Sequence, residues 1–137
     1  MATRIWLERL QELIDRGAQI VEVQMRDDVV RCAPTDRAGG VLEAIERSPY
    51  PFAAVTAADG TVLGRVPASA VDPGSDRPVG DVMELGPSTV RPHRSAEGIA
   101  KQLADKNLRF AIVTTPEGRL LGVASREDLE PAGLSGR

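Results

Sequence analysis

Phe52-Ala53-Ala54-Val55-Thr56-Ala57-Ala58-Asp59-Gly60-Thr61-Val62-Leu63-Gly64 and Phe110-Ala111-Ile112-Val113-Thr114-Thr115-Pro116-Glu117-Gly118-Arg119-Leu120-Leu121-Gly122 are one pattern written twice, without a gap, 58 residues apart. Each copy reads as a buried strand, a turn closed by an acid and a glycine, and a second strand; such a turn between apolar runs is a hairpin signal. The same offset holds outward. Pro34 falls on Pro92, Ala38 on Ala96, Gly40 on Gly98, Val21 on Val79 and Met25 on Met83, so residues 21–71 overlay 79–129 throughout. A tandem of small units buries a shared core and leaves a cleft between them, where ligands sit.

The order of signals within each repeat predicts β-α-β-β-α. A short strand (Val29–Cys32, Thr89–Arg91) ends at a proline, and a helix (Ala38–Arg47, Ala96–Lys106) follows. After the hairpin (52–56 with 62–66, 110–115 with 120–124) comes a short helix at Ala68–Val71 or Arg126–Glu130. Ahead of the repeats, residues 4–16 read as a helix whose apolar face carries Ile5, Trp6, Leu10, Leu13 and Ile14, with Gly17 as its stop. Residues 18–25 alternate apolar and polar, as a half-buried strand does. The organisation expected is an N-terminal helix and connection (1–19), repeat 1 (20–72), a linker rich in breakers (73–78), repeat 2 (79–131) and a polar tail (132–137).

Composition narrows the function classes. Across 137 residues the net charge is −3 and aromatics are 3%, which argues against both the basic footprint and the stacking platforms of nucleic-acid binders. No apolar run reaches bilayer length and no signal peptide is present, so the expected setting is cytoplasmic, with no membrane partner. A lone cysteine, Cys32, argues against a disulfide framework and reads as a small core residue. One histidine, His93, and no nucleophile–base pair or metal-ligand cluster leave no catalytic or metal site to assign; an enzyme is not expected.

Val79-Gly80-Asp81-Val82-Met83, Ser88-Thr89-Val90-Arg91-Pro92, the strand Phe110–Thr114 and Glu117–Val123 together resemble a CBS (cystathionine β-synthase) domain. The first repeat matches in its hydrophobic skeleton and in Asp59–Gly64, so the chain resembles a Bateman module, the paired form of that domain. The resemblance implies an α+β fold of two pseudo-symmetric halves, association as a homodimer, and an adenosyl ligand between the repeats. Ligands of the family are AMP, ADP and ATP, and sometimes S-adenosylmethionine or NAD. A regulated partner protein is implied as well, though the sequence does not identify it; no cofactor is required.

The family's ribose motif (Gly, two loosely apolar positions, Ser/Thr, two variable positions, Asp) is matched by Gly122-Val123-Ala124-Ser125-Arg126-Glu127-Asp128. There an Asp128 carboxylate would accept both ribose hydroxyls through charge-assisted bonds, while Ser125 and Arg126 would face a phosphate. The same spacing is also a capping box, which needs no ligand. Carried over from the family, the base would lie near Thr89, Arg91, Ala111, Ile112 and Val113; as strand residues these equally read as core. Pro67 and Ala70 stand where Ser125 and Asp128 stand in the other copy, so at most one full site is expected. The alternative is a ligand-free dimerisation or interaction module with a degenerate site.

Overall fold

The structure, a computed structural model, describes residues 20–86 and 89–130. The helix expected over 4–16, Trp6 and the polar tail lie outside the described residues. In chain order the elements are α1 (Val21–Gln24), β1 (Val30–Cys32), α2 (Ala38–Glu46), β2 (Phe52–Thr56), β3 (Val62–Pro67) and β4 (Glu84–Leu85). Then follow β5 (Thr89–Val90), α3 (Ala96–Asp105), β6 (Phe110–Thr114), β7 (Leu120–Ser125) and α4 (Arg126–Leu129). Single 3-10 turns span Ala68–Ala70 and Val79–Asp81. The fold is α+β, with strand–helix–strand–strand units repeated.

Two sheets form, β1-β2-β3-β4 and β5-β6-β7, each with a parallel pair followed by an antiparallel hairpin. Both hairpins carry a register shift at the same place, Val55/Thr56 and Val113/Thr114. Gly60 and Gly118 close the two turns at φ of +91° and +89°, a region other residues avoid. These turns also pair with each other. Val62 N–H donates to Gly118 O and Leu120 N–H to Gly60 O, both at 2.9 Å, so a pseudo-two-fold axis passes between Thr61 and Arg119.

The opening of each repeat is exchanged. Arg26 bridges Val123 in the second repeat, and Glu84 bridges Arg65 in the first, which are the same contact related by the two-fold. Val21 N–H reaches Arg94 O at 2.9 Å and Val79 N–H reaches Asp36 O at 2.8 Å, again in reciprocal fashion. Residues 21–24 therefore form a helical turn rather than the strand their alternation predicts. Their first N–H groups are bonded by carbonyls of the other repeat, Val21's by Arg94 and Glu22's by Pro92, and Val23 is left exposed. Tertiary partners override a weak period-2 pattern.

Each repeat has its own core between helix and sheet: Ile99, Leu103, Ala111 and Val113 in one, Val41, Ile45, Val55 and Val66 in the other. A third cluster joins the repeats through Tyr50, Phe52, Ala54, Ile112 and Val123, with Phe110 against it. Alternation along β6 sends Ile112 to this shared cluster, and Ala111 and Val113 to the helix side. Tyr50 and Phe110 meet edge to face at 5.5 Å, and Phe52 lies 5.6 Å from Phe110.

The small residues that open α2 serve the linker. A Cβ on Gly39 would lie 2.8 Å from Ser75 O and 2.9 Å from Ser75 N, because Ser75 O accepts from Gly39 N–H and Arg77 O from Ala38 N–H. Linker carbonyls thus satisfy the first two donors of α2, whose N-cap Arg37 makes no side-chain cap, whereas in the second repeat the Ser95 hydroxyl caps α3 by accepting from Gly98 N–H. Within the described chain the close approach at Gly39 is to this linker, not to a helix. Adjacent glycines should then respond with opposite sign to alanine. Gly40→Ala, whose Cβ meets only Arg37 Nη1 at an ordinary contact distance of 3.7 Å, should stabilise by up to about 1 kcal/mol. Gly39→Ala should destabilise by roughly 1–2 kcal/mol, the backbone collision outweighing the better helix propensity. Urea titration of both variants checks this.

Candidate functional site

Where β7 ends, Ser125 takes an extended conformation and its hydroxyl accepts from the Asp128 N–H at 3.1 Å, so it caps α4. The reciprocal half of the capping box is not formed. Among the described residues the Asp128 carboxylate is exposed and has no hydrogen-bond or ion-pair partner. Ser125→Ala should therefore cost about 1 kcal/mol of stability, read as a shift in Tm, through the lost cap alone.

Asp128 faces the first repeat. It acts electrostatically on Arg26 and on Tyr50, and α1 packs against α4. Arg26, on which Asp128 acts, also lines a cavity of about 420 Å3 with Met25, Asp27, Asp28 and Leu121. The swapped Arg26–Val123 bridge places this wall, and Gly122 makes the bridge possible, since any Cβ there would collide with the Arg26 carbonyl. Glycine at the head of the motif is thus a packing requirement of the exchange.

A small polar cluster closes the inner side. Tyr50 donates its hydroxyl to Asp28 Oδ1 at 3.0 Å, and Arg26 donates to Asp28 Oδ2 at 3.0 Å. For Asp28 partial burial pushes the pKa up, but the bonds from Tyr50 and Arg26 outweigh it and the net direction is down. Burial, with the bond to Asp28 and its charge, pushes the Tyr50 phenol up to about 12. Tyr50 is the only tyrosine, so phenolate absorbance reads it directly. Its titration should centre near 12 in the folded protein against about 10 when unfolded. Because the folded pKa is the higher, the stability it contributes is present below pH 10 and lost as pH rises through about 12, and Tyr50→Phe should remove that dependence.

The other residues named from the sequence lie elsewhere. Ser125 pairs with Phe110 at one end of β6, whereas Arg91 bonds Thr114 Oγ1 at 2.6 Å and Thr89 Oγ1 at 3.4 Å at the other. Four residues of strand, roughly 13 Å, separate the two groups. Arg91 holds the hydroxyl of Thr114, a fully buried polar residue. Ala111 and Val113 point into the helix-side core, away from the cleft. Ile112 lines the two-fold related cavity of about 210 Å3 with Arg65, Glu84, Leu85 and Phe110. Arg126 lies 3.7 Å from Glu130. The structure therefore groups Ser125, Arg126 and Asp128 on α4 and its cap, and brings Met25, Arg26, Asp27, Asp28 and Tyr50 to the same side, none of which the sequence reading assigned to the site.

A larger hollow of about 520 Å3 lies at the end of β1 and β2, lined by Arg31, Cys32, Pro34, Thr56 and Leu63; none of the expected site residues lines it. Burial and the nearby Asp36 push the Cys32 thiol up to about 11, which keeps it protonated and unreactive near neutral pH. Among the described residues no group of His, Cys, Asp and Glu could hold a metal, and no helix is long and apolar enough to cross a membrane.

The family model for the CBS domain matches residues 79–132. A search of curated proteins finds no match. Among solved structures, the CBS domains of a transcriptional regulator from Streptococcus pneumoniae superpose with a TM-score of 0.74 at 18% identity, over 81% of this chain and 96% of that one. CBSX2 in complex with AMP gives 0.72 at 20%, over 80% and 92%. The CBS domain of the bacterial CNNM/CorC family Mg2+ transporter in complex with ATP gives 0.69 at 18%, over 88% and 90%. Residues 79–132 are thus a CBS domain, and the two repeats together have the fold of a CBS domain pair, the architecture of a Bateman module.

Proposed function

We propose that the chain is a regulatory CBS-pair module, with repeats 20–72 and 79–131 as its units, that binds one adenosyl ligand in the cleft beside Asp128. One observation carries this reading. The acid of the ribose motif stands in the first turn of a helix, acts on Arg26 in the wall of a cavity of about 420 Å3, and is without a hydrogen-bond or ion-pair partner among the described residues. Its two-fold counterpart is Ala70, in a half whose cavity is about 210 Å3. The ribose hydroxyls would donate to Asp128 and the base would lie on Met25 and Leu121, in place of Thr89, Arg91, Ala111, Ile112 and Val113, the positions that the sequence resemblance implies. Adenosyl compounds bound to structures of the same fold support the ligand class.

Calorimetry with a panel of adenosyl ligands tests it. Asp128→Ala should lower affinity at least about tenfold, since each bond to a charged acceptor contributes roughly 1.5–3 kcal/mol. Ser69→Ala, in the half that already lacks its acid, should leave binding unchanged. Equal affinity for wild type and Asp128→Ala would remove the ribose assignment. Failure of every adenosyl ligand to bind would leave the interaction-module reading. The homodimer proposed with this module follows from the family alone, as Gly39 is taken up by the linker; light scattering giving a monomer mass at high concentration would refute it.

A further inference from the structure

We propose that the hollow at the ends of β1 and β2 is a second binding site, one for a guanidino acid of the arginine type. In the second repeat Arg91 lies across the same strand ends. Its guanidinium donates to Thr114 Oγ1 at 2.6 Å and lies 3.4 Å from Thr89 Oγ1, and its charge acts on Glu117. Carried back by the repeat offset, Arg91, Thr114, Thr89 and Glu117 become Ala33, Thr56, Arg31 and Asp59, and Asp36 stands where Arg94 stands. Ala33 has no group to reach Thr56, and at this place the hollow of about 520 Å3 opens. Thr114 is fully buried, whereas Thr56 is half-buried and lines the hollow. Among the described residues the Thr56 hydroxyl has no hydrogen-bond partner.

The chain itself thus supplies a guanidinium to one copy of this place and withholds it from the other. The exchange of Arg94 for Asp36 also turns a cation at the rim into an acid. One Asp36 oxygen accepts from Ala33 N–H at 2.8 Å, and its second oxygen is left for a ligand. A guanidinium entering where that of Arg91 sits would meet the Thr56 hydroxyl and this carboxylate. Arg31, in the place of Thr89, has neither a hydrogen bond nor an ion pair from its side chain among the described residues. It would take the ligand's carboxylate in the forked arrangement that guanidinium groups favour. Between these ends Pro34, Ala57 and Leu63 offer an apolar wall on which a methylene chain can lie. Arg31 disfavours a simple cation and Asp36 a simple anion, so the lining suits a ligand that carries both charges. The hollow shares no lining residue with the cavity at Arg26, and the two sites stand or fall separately.

The test is calorimetry of the whole protein with L-arginine, with agmatine, which lacks the carboxylate, and with L-citrulline, whose urea is neutral. Arginine is expected to bind, agmatine about fivefold more weakly and citrulline at least about tenfold more weakly. Ala33→Arg, which rebuilds the arrangement of the second repeat, should abolish arginine binding while the protein still melts cooperatively. Thr56→Val should weaken arginine and agmatine alike, at least about tenfold, and it decides the matter if Ala33→Arg does not fold. Arg31→Gln should weaken arginine about fivefold and bring it level with agmatine. Arginine binding that is unchanged in Thr56→Val, or in a folded Ala33→Arg, would overturn the site. Citrulline binding as tightly as arginine would overturn recognition of the guanidinium. Agmatine binding as tightly as arginine would overturn the role of Arg31. If arginine does not bind at all, the proposal falls and the adenosyl reading is untouched.

Discussion

Gly122→Ala should lower the stability of the protein by roughly 3 kcal/mol, a large effect for one methyl group. The Cβ would collide with the Arg26 carbonyl and lie 3.1 Å from its carbon, both backbone atoms that no rotamer change can move. The opening segment must then retreat, and two backbone bonds go with it: Arg26 N–H to Val123 O at 2.8 Å and Val123 N–H to Arg26 O at 2.7 Å. Each contributes about 1 kcal/mol net, and more if a buried partner is left unsatisfied. Gly64→Ala should behave alike, as its Cβ would be 2.5 Å from Glu84 O. Thermal unfolding should show a fall of about 10 °C for either variant. A helical control, Gly98→Ala, meets nothing nearer than Ser95 Cβ at 3.6 Å and should be neutral or stabilising. Near-native melting of Gly122→Ala would contradict the exchange of opening segments.

Phe52→Ala should cost about 3–5 kcal/mol, the range for truncating a buried aromatic. Phe52 is 2% exposed and touches the rings of Tyr50 and Phe110, so it joins the two repeats instead of filling one of them. The effect should be shared across the interface. In a double-mutant cycle with Phe110→Ala, the coupling should reach roughly 0.5–1.5 kcal/mol, as ring pairs do. A chain with only two phenylalanines, one tyrosine and one tryptophan places three of those four rings at this junction. Additive single-variant costs would mean that the halves are stabilised independently.

The hairpins, the helices behind them and their duplication were legible because a period-2 run, an acid–glycine turn and an apolar helix face are local signals, and both copies repeat them. Three things were not local. Residues 21–24 alternate like a strand, yet their first N–H groups are committed to carbonyls of residues 92 and 94. Glu84 and Leu85 form a two-residue exposed edge strand, too short for any periodicity, and it exists because Gly64 admits it. The cleft is built across the repeats. Asp128 looks towards Arg26 and Tyr50 and not towards Arg91, because each repeat lends its opening to the other, a relation that overlaying one repeat on the other does not show. Period-2 alternation itself could have separated Ile112 from Ala111 and Val113 within the set named from the sequence.

The most direct test of a single asymmetric site is a nuclear magnetic resonance titration of the labelled protein with an adenosyl ligand, followed residue by residue. The account predicts saturable shifts centred on Met25–Asp28, Leu121 and Ser125–Asp128, which need at least about tenfold more ligand to saturate in Asp128→Ala. Shifts centred instead on Glu84–Gly86 and Ala68–Ala70, or on both clefts equally, would contradict it.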